Sequence, residues 1–482
     1  MEESKSERSI YSLDHLKPEV VSVAFAKCSR SPDSFACIAA ELTDEKSADF
    51  HEKWVVGYGH SSVAEHATLH MAVENVSILA TKVLEDNRLA SYTEKSTRYQ
   101  VFDRNRYYKS KNIMESYLGV EYENTMNFIY DAYTQMNAPM KEFILKKYPL
   151  NPDENEKAYN ATIKARVCDN TRYMLPTATL TNLGITMNAR SLEYAITKLL
   201  SHPLAEMQEI GAELKQEALK ITPTLIKFAD ANTYLKETLP ELSSISQEIF
   251  TEQPAGSMPV EIVDFDTDAE DKLVAAIVYR FATQPYKQIL AKVKNMPREQ
   301  KEKIIDESLK KRESYHAPLR ELEHVYYTFD ILMDYGAFRD IQRHRMCTQT
   351  NQAVTVIHGY DTPDEIKDAG LEKNYTEVMQ KAVELYHKIY PRFPHEAQYV
   401  VPLGFRKRTL FTWNLRELHH FISLRSGKKG HISYRRIAQA CWHKLNDIQP
   451  LLAKYIKVNM EEGTASWAST MFNPEFNYAP KK

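Results

Sequence analysis

The sequence of 482 residues is poor in glycine, with 13, and contains neither GxGxxG nor GxxxxGK[ST]. This excludes the glycine-turn cradles in which backbone amides hold phosphate groups. Any bound phosphate must therefore be held mainly by arginine side chains. Cysteine is also scarce. Cys28, Cys37, Cys168, Cys347 and Cys441 are odd in number and form no CxxC pair, which argues against a disulfide framework and fits a reducing compartment. No run approaches the ~18 apolar residues of a membrane span. The first residues are charged and lack the apolar core of a signal peptide. A net charge of −3 gives the whole molecule no pull toward nucleic acid or an anionic membrane. These absences predict a soluble cytoplasmic protein acting on a small molecule, with neither nucleic acid nor membrane as partner.

The sequence also carries an internal duplication. Residues 230–258 are rich in prolines, serines and acids and read as a linker. The halves on either side echo each other in order. Residues 259–283 echo 18–43, and His324 in EHVYYTF echoes His66 in EHATLH. CTQTNQAVTVI at 347–357 echoes ASYTEKSTRYQ at 90–100, and LFTWNLRELHH at 410–420 echoes TNLGITMNARSLEY at 181–194. Two domains are expected, at 10–235 and 255–475. Apolar spacing predicts helices over 62–84, 188–201, 321–345 and 414–426, and short strands at 20–26, 260–265 and 354–358. The expected class is α+β and helix-rich, with a small antiparallel sheet in each half.

Three clusters carry chemistry. Arg343, His344 and Arg345 follow Arg339, and a helix would put Arg339 and Arg343 on one face. So many cations repel unless an anion sits among them, and guanidinium forks match phosphate oxygens; a solvated basic helix end is the plainer alternative. Glu94, Ser96 and Arg98 would share one face of an extended strand, suited to a base edge and a phosphate, or simply the polar face of an edge strand. Asn414, Arg416, His420 and Arg425 lie on an amphipathic helix, where ordinary surface charge is the competing reading. His66 and His70 have the spacing of a helical metal pair but lack the Glu of HExxH, and His419, His420, His431 and His443 lie close in sequence; satisfied histidines are preferred to a metal site. No GxSxG and no Pro-Cys-His context is present, so chemistry here would fall to a cofactor.

These residues resemble the flavin-dependent thymidylate synthases. That family carries RHR-x-x-S-x-N-E-x-S-x-R, an upstream GH-x-S-x-x-EH and a downstream N-x-R helix. The first half has Gly59-His60-Ser61-Ser62-Val63-Ala64-Glu65-His66, then Arg88 and Glu94-Lys95-Ser96-Thr97-Arg98, then Asn188-Ala189-Arg190, with Arg172 before it. The second half has Glu323-His324, Arg343-His344-Arg345 and Asn414-Leu415-Arg416, with His420 and Arg425. The resemblance implies an α+β subunit, a homotetramer with sites at subunit interfaces, and methylation of dUMP to dTMP. Methylenetetrahydrofolate would give the carbon, NADPH the reducing equivalents, and FAD would carry the hydride.

Carried over residue by residue, the resemblance assigns Ser62, Glu65, Asn188, Arg190, Arg343, His344, Arg345, Asn414, Arg416 and His420 to the flavin. It assigns Glu94, Ser96, Arg98, Arg172 and Arg425 to the nucleotide, with Arg425 activating the pyrimidine. The losses are complementary. The first half has Asp86 and Asn87 in place of the first two residues of RHR, and Leu199 in place of the activating arginine. The second half has Asn351, Ala353 and Thr355 on the nucleotide strand, and Gln398 in place of Arg172. Asp340 stands where the family usually has glutamine near the uracil. The expectation is that the halves pair to leave one composite site, and that a homodimer mimics the tetramer. Competing readings are flavin- and folate-dependent modification of another pyrimidine nucleotide, and a catalytically degenerate regulatory paralogue.

Overall fold

The computed structural model describes residues 10–51, 53, 61–153, 155–250, 258–313 and 315–461. Gly59 and His60 of the upstream motif lie outside them, as do the ends of the expected second domain, 255–257 and 462–475. The class is α+β, helix-rich, with two small antiparallel sheets. One sheet orders β1 (Thr68–Ser77), β3 (Leu180–Asn188) and β2 (Ala90–Glu94) as β1-β3-β2. The other orders β4 (Val260–Phe265), β5 (Tyr326–Asp334), β7 (Arg406–Asn414) and β6 (Cys347–Asn351) as β4-β5-β7-β6. Strands β3 and β7 occupy matching places and bury every second residue: Thr181, Leu183, Ile185 and Met187 in one, Lys407, Thr409, Phe411 and Trp413 in the other. This is the two-residue period of a strand with one face in the core.

Two compact units form, with limits unlike those of the sequence repeats. The first is Met1–Val76, Ala80–Lys95 and Thr181–Gln253. The second is Ser77–Leu79, Ser96–Leu180 and Pro254–Lys482. The second unit thus contains material from both halves of the sequence. Its helix Gly119–Lys147 buries Tyr122, Met126, Ile129, Tyr130 and Tyr133 and packs on the helix Glu372–Ile389. Under β7, Trp413 stacks on Phe411 and Phe421, with ring centroids 4.6 Å apart in each case.

Several expected elements differ. Residues 62–84 are not one helix but a 3-10 turn (Ser61–His66), strand β1 and the helix Ile78–Glu85. Asn75 takes a left-handed backbone, φ 58°, and breaks the strand alternation. The buried Leu69, Val73 and Val76 therefore fall at spacings of four and three, which imitate a helix. Residues 321–345 likewise divide into a 3-10 turn (Arg320–His324), β5 and the helix Tyr335–Ile341. Residues 20–26 form the middle of the helix Pro18–Cys28, whose proline opens its first turn. The 354–358 strand is absent, since β6 ends at Asn351. The linker is largely a helix, Thr233–Ile249, capped by Asn232 and with none of its residues buried. The helices over 188–201 and 414–426 and the strand at 260–265 are present as Ala189–Leu200, Leu415–Arg425 and β4.

Candidate active site

Each half places its third cluster with the same local device. Asn188 follows β3 and Asn414 follows β7, and each caps a helix with its side chain. Asn188 accepts from the Ser191 amide at 2.9 Å, and Asn414 from the Glu417 amide at 2.8 Å. Their backbones coincide, at φ −77° with ψ 160° and 161°. The next amide donates backward in both copies, Ala189 to the Ala67 carbonyl and Leu415 to the Val325 carbonyl, each at 2.8 Å. The arginine two residues after the cap pairs with the glutamate of the upstream 3-10 turn: Arg190 with Glu65, and Arg416 with Glu323 at 3.0 Å. These six residues form a duplicated strand–helix junction.

In the second unit, arginines from both halves converge. Arg98 forks onto Asp169, with Nε–Oδ1 at 2.7 Å and Nη2–Oδ2 at 2.9 Å. Burial opposes the charge of Arg98, but Asp169 outweighs it and holds the guanidinium above its ordinary pKa. Burial also works against an ionised Asp169, yet Arg98 pulls that carboxyl down to about 2. Arg98 Nη1 donates to the Tyr434 hydroxyl at 3.4 Å. The Arg425 guanidinium lies 5.3 Å from the centre of the same ring, so Tyr434 stands between the two. Thr97 accepts from Arg172 Nη1 at 3.5 Å and from Arg339 Nη1 at 3.2 Å. Arg172 is 2% exposed, and its Nε and Nη2 have no hydrogen-bond partner among the described residues. A buried guanidinium with unmet donors is a place for an anion.

A polar chain fixes Arg425. Its Nε donates to His344 Nε2 at 2.9 Å, so that nitrogen is unprotonated and His344 Nδ1–H donates to Glu417 Oε1, also at 2.9 Å. Burial, then the Arg425 charge, holds the His344 pKa well below normal. The imidazole is therefore neutral, as this geometry requires. On its other side Arg425 Nη1 stands 3.6 Å from Asp340 Oδ1. Burial raises the cost of ionising Asp340, but Arg425, Arg343, Arg172 and Arg98 together lower its pKa and keep it charged.

A cavity of about 770 Å³ in the second unit is lined by Arg98, Asp169, Tyr173, Asp334, His431 and Arg435, among others. His431 Nδ1 accepts from the Ser433 amide at 3.2 Å, leaving Nε2–H to meet the Asp169 carbonyl at 3.3 Å. Burial, then Arg172, pushes its pKa to about 3. Burial raises Asp334 to about 6. A second groove, of about 730 Å³, is lined by Tyr279, Arg280, Arg320, Glu323, His324 and Tyr326.

The remaining expected site residues are distributed as follows. Glu94 ends β2 in the first unit, bonded to the Thr81 hydroxyl at 3.1 Å. Ser96 and Arg98 belong to the second unit. The three do not share a strand face, because the chain turns after Glu94 and Ser96 Oγ accepts from the Arg98 amide at 3.1 Å. Arg343 lies in a turn beyond the helix Tyr335–Ile341, not on the face of Arg339, and it is exposed; Arg345 is half-buried. Ser62 and His420 are exposed. The His420 ring lies 5.3 Å from that of His344. His66 and His70 do not share a helix: His66 ends the 3-10 turn, whereas His70 is in β1 and bonds Thr186 at 2.9 Å. Asp169, Thr97 and Tyr434 were not foreseen as site residues, and His431 was read only as one of four histidines close in sequence. Asp169 lies three residues before Arg172, and the unread signal was a carboxylate in the same turn as a predicted phosphate arginine.

Fold and site define a duplicated α+β protein with a buried arginine cluster. The model for thymidylate synthase complementing proteins matches twice, over residues 13–224 and 261–451. The chain belongs to this flavin-dependent thymidylate synthase family. A UPF0159 protein of Chlamydia pneumoniae is 35% identical over 486 residues, covering 93% of this chain and 91% of that one. A flavin-dependent thymidylate synthase of Clostridium tetani is 28% identical over 213 residues, covering 44% of this chain and 82% of its own. Among solved structures, a flavin-dependent thymidylate synthase of Helicobacter pylori complexed with FAD and dUMP matches at 18% identity and TM-score 0.31, over 42% of this chain and all of that one. Among the described residues, no helix is long and apolar enough to cross a membrane.

Proposed function

We propose that the protein is a cytoplasmic FAD-dependent thymidylate synthase-like enzyme that converts a pyrimidine nucleotide, dUMP in the family reaction, to its 5-methyl form. The carrying observation is the convergence of Arg98 and Arg172 from the first half with Arg425 from the second around Thr97, Tyr434 and Asp340. Arg172, with two buried unmet donors, takes the 5′-phosphate, and Arg98, which lines the cavity of about 770 Å³, adds a second guanidinium. Arg425 donates to the base and stabilises negative charge developing there, while His344 and Asp340 hold its plane. Fixed donors of this kind lower the barrier without reorganising during the reaction.

Arg343, Arg345 and His420, beside His344, provide the cations and the imidazole that would hold a flavin diphosphate in the second half. Asn188 and Asn414 cap helices, and Arg190 and Arg416 pair with Glu65 and Glu323; with Ser62 they stand at the family's flavin-contact positions in their own copies. Glu94 and Ser96 orient the chain entering Arg98. FAD, when bound, supplies the hydride that completes a methyl group from the carbon of methylenetetrahydrofolate, with NADPH as the reductant. The domains 10–235 and 255–475 pair so that one composite site remains, and a homodimer stands in for the family's tetramer.

Purified protein should be yellow, and NADPH should bleach its flavin band. With dUMP and methylenetetrahydrofolate, chromatography should show dTMP. A colourless protein that takes up no added FAD would remove this reading. Failure to rescue a thymidine auxotroph, with the flavin bound and reducible, would move the activity to a different pyrimidine nucleotide.

A further inference from the structure

Among the described residues, the carboxylate of Asp340 is the acidic group paired with Arg425, and its chemistry bears on which base the site takes. Asp340 lies in the last turn of the helix Tyr335–Ile341 and keeps 19% of its side chain exposed, and Arg425 keeps 14%. Neither is sealed into the core. Nε of Arg425 is committed to His344, which leaves the Nη edge beside Asp340. The pair therefore offers an incoming base a fixed acceptor next to fixed donors. Because the surrounding guanidinium groups keep Asp340 ionised, it can only accept.

The two natural pyrimidine bases differ at this edge. Uracil presents acceptor, donor, acceptor: O4, N3–H and O2. Cytosine presents donor, acceptor, acceptor: the N4 amine, N3 and O2. A carboxylate beside a guanidinium matches the second order, with Asp340 accepting from the N4 amine and Arg425 donating to N3 and O2. An aspartate accepting from cytosine N4 is an established pairing. Against uracil the carboxylate faces O4, which places two acceptors in contact.

We propose that Asp340 and Arg425 together select a 4-aminopyrimidine, so that the preferred nucleotide is a cytidylate rather than a uridylate. This rests on the reading of the arginine cluster as a pyrimidine-nucleotide site. It deepens that reading by setting the base class through one residue.

The test is calorimetric titration of the full-length protein, with FAD present, by dCMP and by dUMP. We expect dCMP to bind at least about tenfold tighter, the lower part of the discrimination a well-placed base contact supplies. Asp340→Asn keeps shape and offers both a donor and an acceptor, so it should erase or invert the preference while phosphate affinity persists. Equal or tighter binding of dUMP by the unaltered protein would overturn the base assignment and leave the nucleotide site standing. Binding of neither would overturn both. The comparison of two ligands on the native chain does not depend on the variant folding.

Discussion

The helices Ala189–Leu200 and Leu415–Arg425 are the same construction with different endings. Both leave a strand whose alternate residues are buried, start at an asparagine cap with matching backbone angles, and carry an arginine paired to the glutamate of a 3-10 turn. Eleven residues after the cap they part. Leu199 is 1% exposed, and its Cβ sits 2.9 Å from where a side chain on Gly211 would begin. Only glycine allows the helix Ala205–Leu219 that approach. Arg425, at the equivalent place, ends a chain of His344 and Glu417 and meets Asp340. The start of the helix is governed by backbone capping and has stayed constant. The last turn is free of that demand, and one copy uses it for packing and the other for charge.

The largest expected effect comes from making the second copy like the first. Arg425→Leu should lower turnover by about 10²–10³-fold, the typical cost of one donor to a developing anion, with flavin still bound. Turnover within tenfold of normal in a single-turnover assay would remove Arg425 from its assigned role. In the first copy, Leu199→Ala should instead cost about 2–5 kcal/mol of stability through a cavity, read as a lower urea midpoint. An unchanged midpoint would show that the Leu199–Gly211 contact does not support the first unit.

Acidity should act on the second unit. His419 and His431 have native pKa values near 3, set chiefly by burial, against ~6.5 in the unfolded chain. Their neutral forms stabilise the fold above pH ~6.5, and that contribution is lost as pH falls toward 3. By pH 5 each has cost about 2 kcal/mol. Asp334, raised to about 6 by burial, acts in the opposite sense. Its contribution is present below ~3.9 and lost as pH rises through 6, so acidification returns about 1 kcal/mol. Asp169, near 2, stays ionised throughout. The expected result is a net fall in Tm from pH 7 to 5; a flat profile would contradict the buried neutral histidines. The smallest effect sharpens the likeness of the copies: Asn188→Ala and Asn414→Ala should each cost about 1 kcal/mol, and a marked difference between them in thermal melts would show that the two junctions are not equivalent.

Much of this was legible in the sequence wherever local rules prevail. The helices over 188–201 and 414–426 and the α+β class follow from periodicity, and the duplicated order from echoing motifs. Strand β1 was not legible, because the left-handed Asn75 shifts its buried residues into helical spacing. Strand β5 was hidden differently: Tyr327, Phe329, Ile331 and Met333 alternate inward, but Tyr326 and Leu332 put apolar residues on the other face too. At the site, the complementary losses pointed to Arg98, Arg172 and Arg425. Asp169 and Tyr434 could not be found the same way, since their role arises from contacts with residues 71 and 336 positions away.

The second compact unit takes residues 96–180 from the first half of the sequence, and this has a genetic consequence. A gene cut at the junction of the repeats would give two products, one with Arg98, Asp169 and Arg172 and the other with Asp340, Tyr434 and Arg425. Neither product alone could restore the cluster. A return to a single repeat would require several replacements, among them an arginine at 199, where Leu199 now packs against Gly211. Each copy thus holds members of the cluster that the other lacks, so deletion of either removes part of it.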